Sequence, residues 1–401
     1  MIPAILGGTA AFVERLEIVR PLFPSADALQ ARFAECLGSG QVTNMGRYSR
    51  ELEARLAAYA GTKHCAVFCN GEAALIALLC AARLPEGAEV ITPAYTFSGT
   101  AHAIAWNGLV PVFADVHPDT WTLDVADAER RITPRTRAIL AAPLYGNPCD
   151  NDALAELAAR RRVRLLYDSA SGCGSRYRGR PLGGFGDAEM FSFHATKVFT
   201  TMEGGAVLTD DVDLYEAVCM IRNFGKNGRE ADCAYVGLNG KMTEIAALVG
   251  LELLPGLDAA VAHRDRVAAR YRERLPGVPG LRHQRVQARG VSSWLYYQVL
   301  VEPAAFGLTR DELIAALEHE NIAARRFNFP ANHQLACYRV QGAPSSLPVA
   351  EHIASSSVAL PVYSDMSLEE VDRVADCMLA IQADAAAVRA RLRATGVEVG
   401  I

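Results

Sequence analysis

Four lysines, Lys63, Lys197, Lys226 and Lys241, stand against 36 arginines in this 401-residue chain, so chemistry that needs an amine has few candidates. Lys197 closes Phe191-Ser192-Phe193-His194-Ala195-Thr196-Lys197, directly after a strand-like apolar run in which His194 is the one other ionisable group. A lysine taken out of water has a depressed pKa and can form a Schiff base. In a lysine-rich protein the same residue would read as a solvated loop lysine. Twenty-nine residues earlier, Asp168 follows Leu165-Leu166-Tyr167 and precedes Ser169-Ala170-Ser171-Gly172. Ligands of open α/β sheets sit beyond the carboxyl ends of strands, although an aspartate there also serves as an ordinary turn former. A third element is Asn70-Gly71-Glu72-Ala73, a strand running through a glycine into a helix. Free N–H groups at a helix start bind phosphate, and glycine admits close backbone approach. As plain structure the motif is a helix cap, with Glu72 complementing the dipole.

These residues need elements to hold them. Short apolar runs recur at 64–69, 89–93, 110–114, 138–142, 163–167, 188–193 and 205–209, several of them nearly all apolar, as strands covered on both faces should be. Helical patterns at 72–83, 97–107, 125–131 and 151–162 alternate with them. Strand alternating with helix predicts an α/β fold with a large, doubly wound, mainly parallel sheet. After residue 210 longer helices take over, with 241–275 reading as one or two. Pro276-Gly277-Val278-Pro279-Gly280 marks a break. A strand-like run at 294–301 and helices at 309–320 and 367–379 then predict a smaller C-terminal α+β domain. The boundaries drawn are 1–255 for the large domain, with roughly the first 35 residues free to pack on the small one, and 256–401 for the small domain.

Composition excludes several classes of protein. Half the residues are hydrophobic and a fifth charged, so the chain is neither disordered nor collagen-like. A net charge of −5 without a basic block argues against a nucleic-acid partner. The ten cysteines lack CxxC pairs and metal-ligand spacing, and read as buried thiols in a reducing cytosol with no metal site. The first residues lack the features of a signal peptide, and no run approaches the roughly 18 uninterrupted apolar residues of a membrane span. The expectation is a cytoplasmic protein with no membrane partner.

Lysine, aspartate and phosphate turn together match pyridoxal 5′-phosphate. That cofactor wants an amine for its aldehyde, a carboxylate to keep its pyridine nitrogen protonated, and a phosphate cup. It also wants a flat apolar surface against the ring, for which Phe97 is placed.

At this level the chain resembles the DegT/DnrJ/EryC1/StrS family of sugar aminotransferases, within the fold-type I pyridoxal-phosphate enzymes, from about Gly40 to the final helix. The resemblance rests on Asn44-Met45-Gly46-Arg47-Tyr48, Asn70-Gly71, Val90-Ile91-Thr92-Pro93-Ala94-Tyr95-Thr96-Phe97, Pro111-Val112-Phe113-Ala114-Asp115 and Tyr145-Gly146-Asn147-Pro148. It continues through Ser192-Phe193-His194-Ala195-Thr196-Lys197, Glu203-Gly204-Gly205, Gly237-Leu238-Asn239, Ala324-Arg325-Arg326-Phe327 and Leu360-Pro361-Val362-Tyr363-Ser364. The resemblance implies that Lys197 carries the cofactor and moves the proton, and that Asp168 partners the pyridine nitrogen. It places Phe97 on the ring, and Ser192 with the backbone of Gly71, Glu72 and Ala73 around the phosphate. It also implies a homodimer with the active site at the subunit interface, Asn239 reaching the neighbour's phosphate. The substrates it implies are an amino donor, usually L-glutamate, and a nucleotide-linked 3- or 4-keto-6-deoxysugar of secondary-metabolite or surface-glycan biosynthesis.

Three positions depart from the family's pattern. Glu72 stands where the family usually has threonine, and its carboxylate would repel a phosphate if it pointed inward. Ser171 stands where glutamine or histidine is usual, and its shorter hydroxyl reaches the cofactor's 3′-oxygen only at close range or through water. Pro143 also replaces a polar residue before the Leu144-Tyr145-Gly146 turn. These departures keep open a lyase, a substitution or a carbon–carbon bond-forming reaction on the same scaffold. His333 and Tyr338, after Phe329-Pro330, and Arg325 are candidate substrate contacts. A packed histidine and an exposed ion-paired arginine are the plain alternatives.

Overall fold

Apolar strands separated by Ala- and Leu-rich helices build a seven-stranded sheet in the computed structural model, which describes residues 1–227, 232–339 and 346–394. Its strands are β1 (His64–Phe68), β2 (Glu89–Pro93), β3 (Val110–Ala114), β4 (Thr136–Ala141), β5 (Arg164–Asp168), β6 (Ala188–Ser192) and β7 (Gly205–Thr209). Their order is β1-β7-β6-β5-β4-β2-β3. Of these, β7 alone runs against the rest, pairing antiparallel with both β1 and β6. The carboxyl ends of β1, β2, β5 and β6 therefore share one edge, and Asp168 and Ser192 are the last residues of their strands.

Alternation along the strands fills both faces. In β7, Ala206 and Leu208 join one buried cluster and Val207 joins another. Helices α1 (Ala26–Gly38) to α9 (Leu257–Arg274) surround the sheet, the others in chain order being α2 (Arg47–Ala60), α3 (Gly71–Ala81), α4 (Ser98–Trp106), α5 (Val125–Arg130), α6 (Asn151–Arg161), α7 (Val212–Arg222) and α8 (Glu244–Leu253). The 241–275 pattern resolves into α8, capped by the Thr243 hydroxyl, and α9, separated by a turn at Leu254–Gly256. This stretch is long and apolar enough, by length and composition alone, to cross a membrane, yet more than half of its apolar window is buried in the fold.

A three-stranded antiparallel sheet follows, with Tyr297–Val301 between Leu281–His283 and Ser357–Leu360. The strand read at 294–301 starts three residues later. Trp294 has φ 52°, and its carbonyl accepts a 2.9 Å hydrogen bond from the buried Arg264 guanidinium, so the chain turns before it can pair. Ile5, Phe12 and Leu16 share this small sheet's core with Leu313, Val371 and Met378. Glu320 takes the N–H groups of Ala4 and Ala11 at 2.7 and 3.0 Å.

Candidate functional site

The parallel strands end beside one another, so the residues that follow them converge. At the end of β1, Asn70 caps α3 by accepting the Ala73 N–H at 2.8 Å. That cap consumes a donor expected to face a phosphate, leaving the N–H groups of Gly71 and Glu72 at the open helix start. Gly71 is required sterically, since a Cβ there would stand 2.8 Å from Cβ and 3.0 Å from Oγ of Ser192. A Cβ on Gly205, opposite Ser192, would stand 2.8 Å from the Asn70 carbonyl. Two glycines thus let the β1–α3 turn lie directly on the end of β6 and bring the Ser192 hydroxyl to the helix start.

Asp168 is buried at the end of β5. Its Oδ2 accepts the Thr100 hydroxyl at 2.6 Å and its Oδ1 accepts the Ala170 N–H at 3.2 Å. Burial raises its pKa, opposed by these two bonds and by the charge of Lys197. Lys197 is shifted the other way: loss of water lowers its pKa, and attraction to Asp168 opposes the change. The turn that carries Lys197 is fixed locally. The Lys197 N–H donates to the His194 carbonyl at 2.9 Å, and Nδ1 of His194 accepts the Thr196 N–H at 3.2 Å.

Phe97 precedes α4 with two-thirds of its surface exposed, so its ring is free to cover a ligand. The same first turn carries Thr100. The sequence reading passed over this residue, although it lies three residues beyond Phe97 and so on the same helix face. Glu72 is exposed and leans toward α4, its Oε2 lying 3.3 Å from where a Cβ on Gly99 would stand, beside the Phe97 ring.

Ser171 is already engaged. Its hydroxyl donates to the Pro143 carbonyl at 2.7 Å and accepts the Gly146 N–H at 3.3 Å, so its proton is given to protein and not to the pocket. Asn239 is exposed, with its carbonyl 3.8 Å from Sγ of Cys69, next to the cup residue Asn70. Its Oδ1 accepts from Nζ of Lys241 at 2.7 Å.

The remaining candidates lie in the stretch between Tyr297–Val301 and Ser357–Leu360, two strands of the three-stranded sheet. Asn332 donates through its backbone to the Ala94 carbonyl at 2.8 Å and through Nδ2 to the Thr96 carbonyl at 3.1 Å. His333 is buried, with Nε2 3.0 Å from Glu351, Nδ1 unpartnered, and Phe113 against the ring. The Tyr338 hydroxyl lies 2.7 Å from Nδ1 of His102, and burial, with Cys337 and Glu72 nearby, pushes its pKa up to about 12. Arg325 is exposed, pairs through its backbone with Ala359, and has no acidic side-chain partner among the described residues. Its neighbour Arg326 faces Asp311 at 3.5 Å.

A glycine-lined cup beside a serine, a buried hydrogen-bonded carboxylate and an amine of lowered pKa fit pyridoxal 5′-phosphate. The fold and the site thus define a fold-type I pyridoxal-phosphate enzyme. Residues 25–379 match the family model of the DegT/DnrJ/EryC1/StrS aminotransferases, and the chain belongs to that family. It is 35% identical over 334 residues to a dTDP-4-amino-4,6-dideoxy-D-glucose transaminase of Shigella dysenteriae, covering 83% of this chain and 90% of the relative. It is 35% identical over 345 residues to a GDP-perosamine synthase of Caulobacter vibrioides, covering 85% and 91%. The crystal structure of DesI in the presence of its TDP-sugar product superposes with a TM-score of 0.90 at 37% identity, covering 97% of this chain and 98% of that one. The protein is a pyridoxal-phosphate-dependent aminotransferase acting on small-molecule substrates.

Proposed function

We propose that the protein moves an amino group from L-glutamate to the keto carbon of a nucleotide-linked 3- or 4-keto-6-deoxysugar, as a cytoplasmic homodimer. The observation that carries this reading is the near full-length likeness, at 37% identity, to DesI in the presence of its TDP-sugar product. The transaminase and perosamine synthase relatives support it.

Pyridoxal phosphate, when bound, supplies an aldehyde for the amino group and a ring that accepts electrons from the substrate's Cα. Lys197 provides the amine that holds the aldehyde. With the cofactor bound, the same amine would serve as the base that moves a substrate proton, a task suited to a group whose pKa desolvation has lowered. Asp168, oriented by Thr100 and the Ala170 N–H, would keep the ring nitrogen protonated. Phe97 covers the ring. Ser192 and the N–H groups of Gly71 and Glu72 would hold the phosphate, and Asn239 would reach it from the partner subunit. Arg325, without an acidic partner, suits the carboxylate of the donor or the diphosphate of the acceptor.

The test is the visible spectrum of the loaded protein before and after L-glutamate, with no acceptor present. Conversion to the pyridoxamine spectrum with stoichiometric 2-oxoglutarate supports the reading. A persistent band without keto acid would bring forward the lyase or bond-forming chemistry that Glu72 and Ser171 first suggested.

A further inference from the structure

A second carboxyl lies behind Asp168, and the chemistry above leaves it unused. Glu189 is the second residue of β6, fully buried and in register with Tyr167 on β5. A strand covered on both faces calls for apolar side chains. An ionised carboxylate there is costly unless it is paired. No ion pair to Glu189 occurs among the described residues. A locally unfavourable residue of this kind suggests a function nearby.

The Glu189 carboxyl is held by two donors of known position. Oε2 accepts the Ser169 hydroxyl at 2.6 Å and Oε1 accepts the Phe185 N–H at 2.7 Å. Ser169 directly follows Asp168, and its carbonyl accepts the Gly172 N–H at 2.7 Å, closing the turn. Inside that turn lies the Ala170 N–H, one of the two donors that orient the Asp168 carboxylate.

We propose that Glu189 is a positioning residue for Asp168: by clamping Ser169 it sets the 168–172 turn, and with it the Ala170 N–H that aims the carboxylate at the ring nitrogen. This rests on the pyridoxal-phosphate reading of the site. The groups around Glu189 make the clamp sensitive to pH. Tyr167 and Cys149 face it as neutral groups whose own pKa values burial raises. Arg180 supplies a cationic influence. Burial lifts the Glu189 carboxyl to about 7, against the pull of Ser169, the Phe185 and Gly183 N–H groups and Arg180. Above that pH the carboxylate accepts from both donors. Below it, one oxygen carries a proton and the clamp is altered.

The experiment titrates apo-protein with pyridoxal phosphate, followed by visible absorbance and repeated from about pH 6 to about pH 8.5. It compares wild type, Glu189→Gln and Ser169→Ala, with a melting temperature for each. Both variants should bind the cofactor about tenfold more weakly above pH 7, the loss expected of one hydrogen bond to a charged group. Both should also lose the part of the wild-type pH profile centred near 7, while remaining folded. Ser169→Ala removes a single hydroxyl and carries the test should the glutamine variant misfold. Wild-type affinity and an unchanged pH profile in the folded variants would overturn the proposal. A wild-type chain that binds no pyridoxal phosphate would instead overturn the reading beneath it, and the proposal with it.

Discussion

Thr100 and Asp168 are joined by a 2.6 Å hydrogen bond that ties the helix following Phe97 to the strand that ends in the acid. The two groups expected to touch the cofactor's ring, one on its face and one at its nitrogen, are thereby spaced by a single side-chain contact. Thr100→Val keeps the shape and removes the donor. The Asp168 pKa should rise further, because one of the bonds opposing its desolvation is lost. Turnover should fall about tenfold or more, as for a lost hydrogen bond to a charged group. Single-turnover kinetics with L-glutamate would check this, and an undiminished rate would contradict it.

Gly71→Ala tests the cup. The new methyl would meet Ser192 at 2.8 Å, so either the helix start or the strand end must move, at a typical cost of about 1–3 kcal/mol. We expect cofactor affinity to drop about tenfold or more with a smaller loss of thermal stability. Spectral titration beside calorimetric melting separates the two effects.

Lys197→Ala removes the amine proposed to hold the cofactor and move the proton. Turnover should fall at least about a thousandfold, while the protein remains folded, keeps the wild-type oligomeric state and still takes up cofactor non-covalently. Sedimentation and dialysis against free cofactor would establish the last point. Turnover equal to wild type would remove Lys197 from its role.

Glu72→Thr removes an exposed anion next to the proposed phosphate site. Pyridoxal phosphate should bind about two- to fivefold more tightly at low ionic strength, and the gain should vanish in high salt, since exposed charges are screened over a few ångströms there. Equal affinities at low salt would mean that leaning toward Gly99 already takes the carboxylate out of the phosphate's range.

Stability of the apo-protein should decline as pH rises from the ordinary carboxylate range to about 7. Glu189 has its pKa raised by burial, so the folded state binds more protons than the unfolded chain across that window, and stability is lost through it. Asp168 is shifted in the same sense. Lys197, with its pKa lowered, acts oppositely at alkaline pH, where the unfolded chain binds the extra proton. Glu189→Gln should flatten the acid-side decline in melting temperature. A slope as steep as wild type would assign the decline to other groups.

What could be read from the sequence was local. Apolar runs ended by Asp168, Ser192 or Asn70-Gly71 mark strands and their turns within a few residues, and Lys197 stood out because lysine is so rare here. What escaped depends on partners distant in the chain. Thr100 meets Asp168 across 68 residues, and Ser171 gives its proton to Pro143 across 28. The Ala73 N–H was a nearer miss: Asn70 is a strong cap, but the spacing alone could not say whether the cap or a phosphate would claim that donor. Helix α1 went unread, since most of it is exposed and its burial pattern is weak.

The packing of Ile5, Phe12 and Leu16 against the C-terminal sheet has a consequence for how the molecule is made. Glu320 accepts the Ala4 N–H across a sequence separation of 316 residues, so the stretch around Ala4 emerges from the ribosome long before its acceptor exists. At about 5–20 residues per second, that interval lasts roughly 15–60 seconds. Through it Ile5, Phe12 and Leu16 lack their C-terminal partners, since their core draws on Tyr297–Val301, Ser357–Leu360 and the helical residues Val371 and Met378. Conditions that slow elongation lengthen that exposure, making this corner the first place to look for chaperone contact or aggregation.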